Sequence, residues 1–145
     1  MKVEREIDMA APPQKVHDVV MDPRCLERWV SIHHSLDEAP AGQLRKGSKL
    51  AQCLKLAGRK FHVRWTVVEN DPAKRVVWEG KGPVRSRARV EYEFEPNGDD
   101  GTHFFYSNEY HLPGGPLGGM AGQVVRRVTG KELDKSLKAL KALVE

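Results

Sequence analysis

Polar and aromatic side chains alternate along the segment Thr102–Leu112. Because side chains of an extended chain point alternately to its two sides, one face of this predicted strand carries Phe104, Tyr106, Asn108, Tyr110 and Leu112. In a sealed core, each phenol or amide left without a partner would cost about 1 to 3 kcal/mol. The stripe therefore predicts the wall of a wet or ligand-filled pocket.

General acid–base catalysis needs a side chain that can gain or lose a proton near neutral pH. The inward faces inferred from strand alternation contain no Asp or Glu. His34 shares its parity with Ile32 and Leu36 on a short predicted strand, so it could supply an imidazole to the pocket. The alternative is a surface histidine beside His33, because parity on a short strand is unreliable. The candidate catalytic residues are His34, Tyr106 and Asn108.

Other predicted strands also place aromatic and amide side chains on the inward face. Their polar groups could orient a carbonyl- or hydroxyl-bearing ligand while the rings contact its apolar body. Alternatively, the aromatic residues simply fill the core. With the stripe above, the predicted ligand-binding residues are Gln52, Trp65, Trp78, Tyr92, Phe94, Phe104, Tyr106, Asn108 and Tyr110.

Arg5 interrupts the apolar side of the first predicted strand. It could bind an anionic ligand group or polarise a carbonyl, or it could form an internal salt bridge.

The glycine-rich segment from Pro113 to Gly119 lacks the Lys-Ser/Thr pair of a phosphate-binding loop, so we predict instead that it gates the pocket.

Composition narrows the class of protein. The chain has 145 residues, 39% hydrophobic and 30% charged, which predicts one soluble globular domain over residues 1–145. No apolar run reaches membrane-spanning length, and the charged N-terminus does not resemble a secretory signal, so we expect a cytoplasmic protein without stable membrane insertion. The sequence leaves its oligomeric state open.

The net charge of +4 does not predict nucleic-acid binding, because the basic residues are dispersed along the chain. The densest cluster changes sign along a single strand face, which is typical of a solvated sheet surface: Arg85, Arg87, Arg89, Glu91, Glu93 and Glu95. The histidines have no metal-ligand spacing, and Cys25 and Cys53 are isolated. We therefore predict neither a metal nor a cofactor.

The predicted elements follow a simple order. Lys2–Met9 alternates as a strand, and two short helices follow, the first beginning at Pro12-Pro13 and the second carrying Trp29. About six strands in an antiparallel meander then extend to Leu112, and a long helix closes the chain. Since only this helix is long enough to cover the apolar face of the sheet, we predict an α+β fold with about seven strands curved around it.

This order of elements and several local sequences resemble the SRPBCC superfamily, which includes START lipid-binding domains, pollen-allergen-like proteins and polyketide cyclase/dehydrase proteins. Within it, the chain is most similar to the last branch. The resemblance covers the whole chain and is carried by Ala10-Ala11-Pro12-Pro13, Val16, Asp22-Pro23, Trp29, Trp65, Val76-Val77-Trp78-Glu79-Gly80, Gly101-Thr102, Pro113-Gly114-Gly115, Ser136-Leu137-Lys138 and Leu140-Lys141. It implies a helix-grip fold with a hydrophobic cavity between the sheet and the C-terminal helix.

Three functions are compatible with this sequence, because the fold alone does not specify one. The first is binding of a small hydrophobic molecule, polyketide-like or lipid-like, in the internal cavity. The second is a polyketide cyclase or dehydratase that acts on a reactive polyketone. The third is a protein-interaction module whose cavity is collapsed.

Overall fold

A computed structural model describes residues 1–111 and 120–145, without the side chains of residue 84 and residues 120–123. Within these ranges the strands are β1 (Lys2–Met9), β2 (His33–Glu38), β3 (Lys49–Leu56), β4 (Arg59–Asp71), β5 (Arg75–Lys81), β6 (Arg87–Asn97) and β7 (Gly101–His111). The α-helices are α1 (Pro13–Val20), α2 (Leu26–Trp29) and α3 (Met120–Val144), and short 3-10 turns span Pro23–Cys25 and Pro83–Arg85.

The strands form one antiparallel sheet in the order β1-β7-β6-β5-β4-β3-β2. The sheet is curved, and the long helix α3 lies at its concave side. The predicted α+β helix-grip fold is therefore confirmed, including the two short helices that separate the first two strands. The glycine-rich segment and Leu112 fall outside the described residues.

Helix α3 is held at one end of the concave face by its C-terminal half. Leu133, Leu137, Leu140 and Val144 are buried there in the same core as Val3 of β1. This spacing of three or four residues places apolar side chains on one side of a helix. Hydrophobic burial of this stripe fixes where the helix crosses the sheet.

Arg5 links β1 to α3 and does not line the cavity. Its Nε donates a hydrogen bond to Asp134 at 3.1 Å, so it forms a salt bridge, as one of its two sequence interpretations held, although the pair is exposed to solvent rather than internal. Gly130 lies under this guanidinium, where a Cβ atom would overlap Nη2 of Arg5. A glycine at this helix position thus lets the arginine lie close against α3.

The connection between β4 and β5 is a tight turn with a strained residue. Lys74 donates its backbone N–H to Asp71 at 3.0 Å, Pro72 occupies the second position, and Ala73 has a φ of +59°. A type II turn requires positive φ at this third position, which glycine adopts more easily than an L-residue with a Cβ atom.

We expect Ala73→Gly to raise the free energy of unfolding by about 0.5 to 1 kcal/mol, because it removes this backbone strain. Urea unfolding followed by circular dichroism measures the change. Ala41→Gly is the control: Ala41 is exposed and is not among the residues with positive φ, so the same substitution should lower stability there. Equal effects at the two positions would contradict the strain argument.

Candidate ligand-binding cavity

A cavity of about 450 Å³ lies on the concave side of the sheet. Strands β3, β4, β5, β6 and β7 form most of its wall, and Leu26, Val30 and Val125 close it from the helical side. Its wall is predominantly apolar, with a few amide, phenol and indole groups. Cavities of this size and composition are typical of sites for small organic ligands.

On every strand of the wall, the lining residues become more exposed toward the same edge of the sheet. Its buried members include Gln52, Trp65, Tyr92 and Asn108, and these form the deep end. Its exposed members are Ala57, Arg59, Pro83 and Arg87, which lie in or beside the β3–β4 and β5–β6 connections. The mouth of the cavity is therefore at the edge formed by these two connections.

Four aromatic rings on four neighbouring strands line the deep end. The centroid of Trp65 lies 6.0 Å from that of Trp78, and Trp78 lies 5.7 Å from Tyr92 in an edge-on arrangement. Tyr92 lies 5.3 Å from Tyr106. These separations are within the range in which aromatic pairs attract each other. The rings therefore form a continuous aromatic wall across β4, β5, β6 and β7.

Gln52 is held by two hydrogen bonds. Trp65 Nε1 donates to Gln52 Oε1 at 2.9 Å, and Gln52 Nε2 lies 2.8 Å from Nδ1 of His33. Because the indole can only donate, the amide oxygen must face it, and the amide nitrogen must donate to the imidazole. A neutral His33 therefore carries its proton on Nε2, and burial favours that neutral ring by lowering the pKa of His33.

Because Gly80 has no side chain, the Trp65 ring can lie directly against it. It lies directly opposite Trp65 in the β4–β5 pairing, and a Cβ atom on it would come within 2.7 Å of the indole. A larger residue would force the ring away from Gln52. The glycine thus supports the hydrogen-bonded group at the deep end.

Trp78 contributes a hydrogen-bond donor without a partner among the described residues. Its side chain is buried in the cavity wall, and Nε1 is one of the buried polar atoms that make no hydrogen bond there. A buried indole N–H usually finds an acceptor, since leaving it unpaired is unfavourable. The oxygen of a bound ligand could serve as that acceptor.

The three tyrosines of the wall are neutral hydrogen-bonding groups. Burial raises the pKa of Tyr92 and of Tyr106 well above the usual phenol value, and the neighbouring Tyr110 adds to the rise at Tyr106 while Asn108 opposes it. Burial raises the pKa of Tyr110 to about 12. These phenols can donate and accept hydrogen bonds near neutral pH but are not poised to act as bases.

Most of the predicted ligand-binding residues lie together in this cavity. Those that line it are Gln52, Trp65, Trp78, Tyr92, Tyr106, Asn108 and Tyr110. Phe94 and Phe104 do not: their rings pack against each other at 5.3 Å, and Phe94 also contacts His17 of α1 at 5.6 Å. Helix α1 covers this part of β6 and β7, so the aromatic stripe continues there as closed core.

His34 does not reach the cavity. It is exposed on β2, whereas its neighbour His33 is half-buried and bonded to Gln52. The pairing of β2 with β3 shifts between His33 and Ser35, so the two-residue alternation that placed His34 inward does not hold on this strand. Of the candidate catalytic residues, Tyr106 and Asn108 line the cavity.

Two arginines at the mouth were not predicted as site residues. Arg59 shares its parity with Phe61 and Val63, so extending that stripe by one step would have found it. Arg87 belongs to the outward face of β6 and reaches the rim only because the strand begins there. No carboxyl, imidazole or thiol group occurs among the described residues of the wall.

Comparison with known proteins assigns the family. A family model described as polyketide cyclase / dehydrase and lipid transport matches residues 1–145. The chain belongs to this family. Its membership confirms the resemblance to the SRPBCC superfamily that the sequence shows. Comparison with curated proteins found no match.

In the ranges that the structure describes, no helix is long and apolar enough to cross a membrane.

Solved structures share the fold of this family member over nearly their whole length. A protein from Thermus thermophilus has a TM-score of 0.79 at 21% identity, with 99% of this chain and 97% of that chain covered. A conserved protein from Geobacillus kaustophilus also has a TM-score of 0.79, at 16% identity, with 99% and 95% covered. A START superfamily protein from Mycobacterium smegmatis has a TM-score of 0.74 at 17% identity, with 99% and 96% covered.

We expect stability to fall in alkali, because all three tyrosines of the chain have raised pKa values. An unfolded phenol ionises near pH 10. This contribution to stability is therefore complete below about pH 10 and is lost as the pH rises toward the folded values. The midpoint of urea unfolding should drop between about pH 9 and pH 11, and less so in Tyr110→Phe. Tyrosinate absorbance that appears in the folded protein near pH 10 would contradict burial of these phenols.

Proposed function

We propose that this protein binds a small hydrophobic molecule in the cavity between the sheet and helix α3. The observation that carries the proposal is a hollow of about 450 Å³ whose mainly apolar wall contains only a few hydrogen-bonding groups. Burial of an apolar ligand surface would supply most of the affinity, and the polar groups would set its orientation. The family description, which names both polyketide chemistry and lipid transport, supports the same class of ligand.

The polar groups indicate what the ligand carries. Trp78 offers only a donor, so it selects a carbonyl, ether or hydroxyl oxygen. Asn108 and Tyr106 can donate and accept, which suits a hydroxyl or carbonyl group nearby. A polyketide-like or lipid-like molecule with one or two oxygens on an apolar body meets these requirements. The interaction-module hypothesis required a collapsed cavity, and the open interior does not support it.

The dye N-phenylnaphthylamine, which fluoresces on transfer to an apolar site, tests this proposal. We expect saturable binding of the dye to the native protein. In Ala88→Phe the new ring would extend from the wall into the cavity, so the affinity for the dye should fall at least about tenfold. Ala142→Phe, on the exposed side of α3, is the matched control and should bind like the native protein. Circular dichroism checks that both variants fold. Absence of saturable binding to the native protein would contradict the proposal.

A second candidate function is cyclisation or dehydration of a reactive polyketone. Tyr106 and Asn108 lie side by side in the cavity as neutral hydrogen-bonding groups, and the family description includes this chemistry. With no carboxyl or imidazole group among the described wall residues, such a reaction would depend on folding the chain and hydrogen-bonding a developing enolate. His34 takes no part in this scheme, because it is exposed.

Incubation with a synthetic poly-β-ketone thioester, followed by mass spectrometry of cyclised products, tests this candidate. We expect Tyr106→Phe to slow product formation by at least about tenfold, because it removes the hydroxyl that would donate to the enolate oxygen. His34→Ala is the control and should leave the rate unchanged. If the native protein forms product no faster than buffer, the second candidate fails, while binding remains testable with the dye.

A further inference from the structure

The mouth of the cavity is positively charged. Arg59 and Arg87 are the charged side chains that line it, and both are exposed. Lys60 and Lys81 flank the same connections, Arg85 lies within the second of them, and all three add to the positive potential of this edge. The cavity therefore combines a mainly apolar, uncharged deep end with a cationic rim.

Neither mouth arginine has a carboxylate partner in the described part of the chain. Other arginines of the sheet do: Arg64 lies 3.8 Å from Glu38, Arg75 lies 3.5 Å from Glu69, and Arg89 lies 2.8 Å from Glu79. The stretch outside the described side chains, residues 112–123, contains no Asp or Glu. The carboxylates that pair with sheet arginines thus lie away from the mouth, and its two arginines are available to an anion.

From this arrangement we infer that the ligand is an amphipathic anion, with an acidic group held at the mouth by Arg59 or Arg87 and an apolar body in the cavity. The inference rests on the proposed function and specifies its ligand class. Guanidinium groups bind carboxylate, sulfonate or phosphate oxygens through charge-assisted hydrogen bonds, often two at a time. Placing the charge at the mouth also leaves it in contact with water, so its desolvation cost stays small.

The position of the arginines favours a bound amphiphile over recognition of an extended anionic surface. Both side chains lie at the rim of the cavity, so an anion held by either would lie next to whatever fills the apolar interior. The outward face of the sheet beyond them carries the ion pairs of Arg89 with Glu79 and Glu91, which reduce its net charge.

Two dyes that share one apolar body separate the contribution of the charge. Anilinonaphthalene sulfonate and N-phenylnaphthylamine have the same ring system, and only the first carries an anionic group. We expect the native protein to bind the sulfonate at least about tenfold more tightly, and the double variant Arg59→Gln/Arg87→Gln to lose about that preference. The control, Arg45→Gln/Arg64→Gln, changes the net charge equally at exposed positions outside the cavity and should keep the preference.

The outcomes distinguish this inference from the proposed function. The anion site is supported if only the mouth variant loses the preference for the sulfonate dye. Increasing salt should then weaken the binding of the sulfonate dye but not that of the neutral dye. Equal affinities for the two dyes, or an equal loss of preference in both double variants, overturns the anion site but leaves cavity binding intact. If neither dye binds the native protein, the proposed function fails, and the inference fails with it.

Discussion

The hollow in this protein exists because helix α3 covers only part of the concave face of the sheet. Its C-terminal half buries Leu133, Leu137 and Leu140 against β1 and the short helices, which fixes the position of the whole helix. Nearer its N-terminus, Val124 is 58% exposed and Val125 borders the cavity. Because the contacts of α3 are mainly with β1 and the short helices, the concave face over the central strands stays open among the described residues.

Inside this cavity the polar groups are few and are held in place by hydrogen bonds and packing. Trp65, Gln52 and His33 form one hydrogen-bonded chain, and Gly80 supplies the space that keeps the indole in it. Rigid placement of a few donors and acceptors favours selection of a ligand by shape and by the position of its oxygens. The phenols stay neutral because burial disfavours the phenolate. These properties suit binding and orientation better than proton transfer.

Period-two alternation located the cavity wall wherever the strands pair regularly. It placed Gln52, Trp65 and Tyr92 correctly because a regular ladder keeps every second residue on the same face. It failed for His34 because the register of β2 shifts beside that residue. For Phe94 and Phe104 the face was right, but α1 packs over that end of β6 and β7 and closes it. No local pattern reports which element will cover a strand.

The amino-acid sequence by itself determined the order of strands and helices, the family and the inward face of each regular strand, because these follow from local alternation and from short motifs. Only the tertiary structure decided where the concave face is filled and where it stays open, and that Arg59 and Arg87 both lie at the open end. Those properties depend on the relative position of elements distant in the chain, which packing between the helices and the curved sheet sets.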